Sequence, residues 1–168
     1  MKGFSYETKL GKIFIAEDGY GITEVSLMKE PNLPEEENTS KRKGSSCYEL
    51  EETPIIRQTI TELMEYLDGR RTDFSISLNP EGTQFQKKVW EALRAIPYGE
   101  TRSYQEIAEA VGNKKASRAV GMANHHNPIM CIIPCHRVIG AKGNLVGYAG
   151  GLDKKAALLA LEQNKRLS

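Results

Sequence analysis

Pro134-Cys135-His136-Arg137-Val138 sets a cysteine directly before a histidine, and both side chains can do chemistry. Thiolate is the reactive form of cysteine, and a free thiol with a pKa of about 8.5 is only a few per cent ionised at neutral pH. An adjacent imidazole can take that proton through its own ring or through one bound water. Cys135 is thus the candidate nucleophile and His136 the candidate base. Cys-His neighbours are common and mostly inert, so the pair alone decides nothing. Its setting sharpens the reading. Asn127-Pro128 makes a turn, Ile129-Met130-Cys131-Ile132-Ile133 reads as an extended apolar run, and Cys135 is expected at the mouth of a buried segment.

A third group commonly orients the base in such a relay. Glu162 lies on a C-terminal amphipathic stretch with Ala156 and Leu159, and would complete a Cys–His–Glu relay if that helix folds back onto His136. The plain alternative is a solvated carboxylate, and spacing alone does not separate the two. Metal chemistry is the other option, because His125, His126, Cys131, Cys135 and His136 fall within twelve residues. None of the C-x-x-C, H-x-x-x-H or H-E-x-x-H spacings occurs, so no metal is expected and Cys131 reads as a small buried hydrophobe. No cofactor is indicated.

The elements that must carry these residues fall into two halves. Residues 1–84 hold ten Lys/Arg and sixteen Asp/Glu, residues 85–168 thirteen and six, so balances of −6 and +7 hide behind a net charge of +1. The basic half suits a polyanion. Residues 1–28 read as a β-meander, with a turn at Gly19-Tyr20-Gly21. Residues 29–54, with three prolines and a Glu-Glu-Glu run, read as a mobile loop holding Cys47. Ile56, Ile60, Leu63, Met64 and Leu67 repeat at helical spacing before a stop at Gly69, and Phe74, Ile76 and Leu78 alternate as one more strand. Pro80-Glu81-Gly82 marks the boundary, giving an α/β unit over 1–80 and a helical unit over 81–168.

Two capping boxes open helices in the second unit, Thr83 with Gln86 and Ser103 with Glu106. Gly112-Asn113 then makes a turn, and Lys114 to Gly121 begins another helix rich in small residues, the pattern of a helix-turn-helix. Arg118 is a long cation among small side chains there, fit to pair with phosphate or to fill the gap left by an extruded base. No apolar run approaches the ~20 residues of a membrane span, and three cysteines without an export signal suit a reducing cytoplasm.

Residues Phe85 to Glu162 resemble the O6-alkylguanine–DNA alkyltransferases, the methylated-DNA–protein-cysteine methyltransferases. The resemblance is carried by Val89-Trp90, Ile96-Pro97-Tyr98-Gly99-Glu100-Thr101, Ser103-Tyr104, Ser117-Arg118-Ala119-Val120-Gly121, Asn127-Pro128, Ile133 to Val138, and Gly147-Tyr148-Ala149-Gly150-Gly151-Leu152. It implies a ribonuclease-H-like α/β N-terminal domain, with a small antiparallel sheet and a supporting role, and a mainly α, winged-helix-like C-terminal domain. It further implies a monomer that docks its helix-turn-helix in the minor groove of double-stranded DNA and flips the alkylated guanine. Cys135, His136 and Glu162 are then the catalytic residues, and each molecule acts once, because a thioether has no good leaving group. Tyr104, Arg118, Asn127, Val138, Tyr148 and Ala149 match DNA- and substrate-binding positions. Among them Arg118 takes the vacated place, and Tyr104 helps turn the nucleotide outward. The Tyr104 hydroxyl and the Ala149 N–H meet the leaving guanine as donors, the Val138 carbonyl accepts from the base, and Asn127 ties the recognition helix to the active turn.

Asn124-His125-His126 departs from what can be carried over residue by residue, and Met130-Cys131 bears on pocket width. Two other classes compete: a non-catalytic sensor that flips the damaged base without accepting the group, and an unrelated cysteine hydrolase. The first has no use for Cys135, and the second does not explain Tyr148-Ala149-Gly150-Gly151.

Overall fold

The computed structural model describes residues 1–28, 48–143 and 151–167. Three antiparallel strands open the chain: β1 (Lys2–Thr8), β2 (Gly11–Glu17) and β3 (Ile22–Leu27). The β1–β2 turn is tight, with Thr8 Oγ1 donating to the Gly11 carbonyl at 2.7 Å. The meander is as expected, but the sheet is mixed, because β4 (Glu49–Leu50) adds to β1 in parallel and gives the order β3-β2-β1-β4. That strand falls inside the segment 29–54 expected to be a loop, and Pro54 at its end already opens a helix; residues 29–47, including Cys47, lie outside the described residues.

Ile13, Phe14, Ile15 and Ala16 are all buried, so β2 is covered on both faces. Phe14 meets Tyr48 edge-on, with ring centroids 5.0 Å apart, and crosses Gly3, where a Cβ would clash with its ring. Helix α1 (Pro54–Leu67) covers the sheet, starting at the Thr53 cap, whose hydroxyl accepts from Ile56 N. Its buried face is Ile56, Ile60, Leu63, Tyr66 and Leu67. Phe74 to Leu78 is not a strand, since only Leu78 bridges to Ile22. What holds this stretch is Glu62, which accepts from Ser75 N at 2.9 Å and Ser75 Oγ at 2.7 Å.

Both capping boxes form. Thr83 with Gln86 opens α2 (Gln84–Arg94), and Ser103 with Glu106 opens α3 (Tyr104–Ala110). A turn at Gly112, φ +85°, leads into α4 (Ser117–His125), completing the helix-turn-helix. Trp90 of α2 anchors the pair by donating Nε1–H to the Ala123 carbonyl at 2.9 Å. The chain then forms a 3-10 turn at Cys135–Arg137, a short strand β6 (Val138–Ile139), and α5 (Leu152–Leu167).

Two backbone seams place the active turn. β5 (Arg102–Ser103) pairs in parallel with β6, which sets the start of α3 beside the end of the turn. Val25 of β3 donates to the Pro128 carbonyl at 2.9 Å and accepts from Met130 N at 3.0 Å, fixing the segment before the turn to the N-terminal sheet. Among the described residues no helix is long and apolar enough to cross a membrane.

Candidate active site

Pro134 and the loop before it deliver Cys135 into the interior, where it is 5% exposed. The approach differs from the extended run expected. Ile133 N closes back on the Ile129 carbonyl at 3.1 Å, and Cys131 sits at φ +68°, a left-handed conformation uncommon for a residue with a side chain. The cost is offset by the burial of Ile129 to Ile133 and by Asn127, whose Oδ1 accepts from Ile129 N and whose Nδ2 donates to the Ile133 carbonyl at 2.9 Å. Burial pushes the Cys131 thiol up, far from the reactive range.

His136 follows Cys135 and is fully buried. Helix α5 folds back over the turn, and its Glu162 accepts from His136 Nε2 at 2.7 Å. The carboxylate is held from several sides. Arg137 donates Nε–H to Oε1 at 2.9 Å and a guanidinium N–H to Oε2 at 3.0 Å, and Gly99 N donates to Oε1 at 3.2 Å. Arg137 is itself fixed to the Ile96 carbonyl at 2.7 Å. Burial alone would raise the Glu162 carboxyl, but the donors on it, His136 and Arg137 first, hold it down at about 2. Glu162 is therefore an acceptor only, so the imidazole proton sits on Nε2 and Nδ1 carries the free lone pair. That Nδ1 is buried with no hydrogen-bond partner among the described residues. Burial, opposed by Glu162, also lowers the His136 pKa, so the ring is neutral at physiological pH. A neutral, oriented imidazole with an unused basic nitrogen beside a buried thiol is the arrangement a proton-accepting base requires.

Tyr104 heads α3 and is half-buried, its ring 3.9 Å from where a Cβ on Gly121 of α4 would stand, an ordinary van der Waals contact. Desolvation, then the charge of Cys135, raises its phenol pKa, against a hydrogen bond from the Asn124 side chain. It remains a protonated donor at neutral pH. Val138 is buried and directly follows the turn. Arg118 is exposed at the second position of α4, and Lys114 and Lys115 are exposed just before it. The structure thus joins His136 and Glu162 by a hydrogen bond, with the buried Cys135 next in the chain to His136; Tyr104, Asn127 and Val138 lie on the flanking elements, and Arg118 is left on the outer face. Tyr148 and Ala149 lie outside the described residues. Among those residues no three His, Cys, Asp or Glu gather as metal ligands.

The sequence matches the family model for the DNA-binding domain of 6-O-methylguanine DNA methyltransferase over residues 84–164, and that for its ribonuclease-like domain over residues 1–80. The chain belongs to this family. It is 50% identical to the methylated-DNA–protein-cysteine methyltransferase of Methanosarcina acetivorans over 160 residues, 94% of this chain and 95% of the relative. Against the Mycobacterium leprae protein of the same name it is 43% identical over 98% of this chain and 93% of that one. The crystal structure of Mycobacterium tuberculosis OGT in complex with DNA superposes with a TM-score of 0.83 at 38% identity, covering 98% of this chain and 94% of that chain.

Three residues of this methyltransferase site were missed by sequence reasoning. Asn124, buried at 2% exposure, donates Nδ2–H to the Cys135 carbonyl at 3.3 Å and so ties α4 itself to the turn, while the side chain of Asn127, beyond the end of α4, bonds Ile129 and Ile133. Lys155 is fully buried, its pKa lowered by desolvation and raised by the charge of Cys135. Its signal was available: Lys155, Leu158 and Glu162 follow i, i+3, i+7 spacing and form the inward stripe of α5, whereas Ala156 is exposed. The third is Tyr66, from the N-terminal half. Its hydroxyl donates to Glu162 Oε2 at 2.5 Å and stands 3.2 Å from His136 Nε2. A tyrosine on the apolar face of α1 must find a partner for its hydroxyl, which was the available clue.

Proposed function

We propose that this chain is a single-turnover DNA repair methyltransferase that moves the alkyl group of O6-alkylguanine, and of O4-alkylthymine, in duplex DNA onto Cys135. The observation that carries the reading is the buried His136–Glu162 pair, in which Glu162 occupies the Nε2 side of the ring and Nδ1 has no hydrogen-bond partner among the described residues, so that Nδ1 is available as the base for Cys135. The thiol proton passes to His136 Nδ1, directly or through one water. Cys135 Sγ then attacks the alkyl carbon in line, an S–C bond forms, and the C–O6 bond breaks with its electron pair going to guanine. Tyr104 and the Ala149 N–H meet that developing charge as donors, Val138 accepts from the base, and the relayed proton ends on guanine. Tyr148 is a further substrate-binding position in this reading. No cofactor enters, because the alkyl donor is the DNA itself.

The helix-turn-helix docks in the minor groove as a monomer. Arg118 fills the space vacated by the flipped nucleotide, at a flipping cost of a few kcal/mol. In this reading residues 1–80 form a ribonuclease-H-like unit and 81–168 a winged-helix-like one, and the protein works in the cytoplasm. Titration with methylated duplex tests the stoichiometry. Methyl transferred should plateau at one per active molecule however much substrate is added; continued turnover would contradict the proposal.

A further inference from the structure

Tyr66 brings the N-terminal half into the relay, although that half carries no reactive cluster of its own. It is fully buried, its ring packed against Phe74 with centroids 5.4 Å apart and edge-on to Tyr98 at 6.1 Å. Burial first, then the charges of Cys131 and Glu162, raises its phenol pKa well above the ordinary value, so the hydroxyl acts as a donor. Its acceptor is crowded. Glu162 Oε2 receives Tyr66 Oη at 2.5 Å, His136 Nε2 at 2.7 Å and an Arg137 guanidinium N–H at 3.0 Å. Oε1 receives Arg137 Nε and Gly99 N. Five donors meet a carboxylate with about four lone-pair sites, so the donors on Oε2 compete for one oxygen's charge. Arg137 and Gly99 already fix where the carboxylate lies. What the hydroxyl changes is the share of Oε2 that faces the imidazole.

We infer that Tyr66 is a positioning residue for the alkyl transfer: its hydroxyl shares Glu162 Oε2 with the His136 Nε2–H and so limits how firmly that carboxylate draws on the imidazole. The inference rests on the reading of Cys135, His136 and Glu162 as the relay. Its consequence has a definite sign. His136 accepts the thiol proton only while neutral. Withdrawing the hydroxyl leaves more of the Oε2 charge facing the ring, which stabilises the imidazolium and protonates the base at a higher pH. The other charged or titratable groups facing the pair are Arg137 and Cys135 on the turn, Cys131 before it, Tyr98 after α2 and Lys155 on α5, all retained in the variant.

The test is Tyr66→Phe, which keeps the ring contacts and removes only the hydroxyl. Single-turnover methyl transfer is timed between about pH 5 and pH 9, on methylated duplex and on free O6-methylguanine base, so that ionisations affecting DNA binding separate out. The acid limb of the rate should move up by roughly half to one pH unit on both substrates, with the plateau above it changing less than about threefold. Tyr98→Phe, whose buried hydroxyl has no hydrogen-bond partner among the described residues, should leave the limb where it is. A limb that stays put while the rate falls equally at every pH would make Tyr66 a packing residue and overturn the inference. Loss of the fold, read by circular dichroism, would overturn it as well, by marking the hydroxyl as a stability contact. Cys135→Ala run alongside keeps the two readings apart: if it still transfers methyl, the relay itself is misassigned. If it is inactive and the Tyr66→Phe limb is unmoved, only the present inference fails.

Discussion

Methyl transfer should vanish when Cys135 is replaced by Ala or Ser, while binding to methylated duplex survives. Alanine offers no nucleophile, and a serine hydroxyl stays protonated where a thiol paired with a neutral imidazole ionises, so the loss should exceed about a thousandfold. Binding survives because the exposed cations Lys114, Lys115 and Arg118 sit before and on α4, outside the buried turn. Rapid-quench transfer and gel-shift assays on the same preparations read the two effects. Cys131→Ser is the matching control: that thiol is 1% exposed, pushed up by burial, and should not carry the transfer. Activity lost with Cys131→Ser and kept with Cys135→Ala would exchange the roles of the two cysteines.

The second large effect is a split between substrates. Arg118→Ala should slow transfer from methylated duplex by about 10- to 100-fold, the scale of roughly 1–3 kcal/mol of lost support for the flipped state. Transfer from the free O6-methylguanine base should be nearly unchanged, because nothing has to be extruded. Arg118 is exposed at the start of α4, away from the Glu162 cluster, which is why its loss should spare the chemistry. Equal slowing on both substrates would mean that Arg118 supports the pocket itself. Part of the binding is long-range electrostatic: the half of the chain from residue 85 carries the +7 balance, so duplex affinity should also fall as salt rises.

What the sequence disclosed follows the reach of the interactions. Thr83 with Gln86 and Ser103 with Glu106 are three residues apart, and both boxes form where the pattern put them. The turn at Gly112 and helix α4 were equally local. Cys135 and His136 are neighbours, and Glu162 stood out as a carboxylate on an amphipathic stretch, though only the fold brings it to Nε2. Tyr66 reaches Glu162 across 96 residues, and no local pattern encodes that pairing. Phe74 to Leu78 alternates like a strand yet finds no ladder, because its backbone is held by Glu62 and a single bridge to Ile22. Glu49–Leu50 pairs with β1 despite its exposed, charged surroundings, a backbone contact that composition does not reveal. Cys131 adopts a left-handed turn inside an apolar run because Asn127 and the Ile129–Ile133 hydrogen bond close the loop.

Intact-mass spectrometry of the protein after mixing with excess methylated duplex tests the central claim most directly. The account predicts one added methyl per molecule, in place of one hydrogen, located by peptide mapping on the fragment containing Cys135 and stable to further incubation. An unmodified protein with demethylated DNA, or a methyl on any other residue, would contradict it.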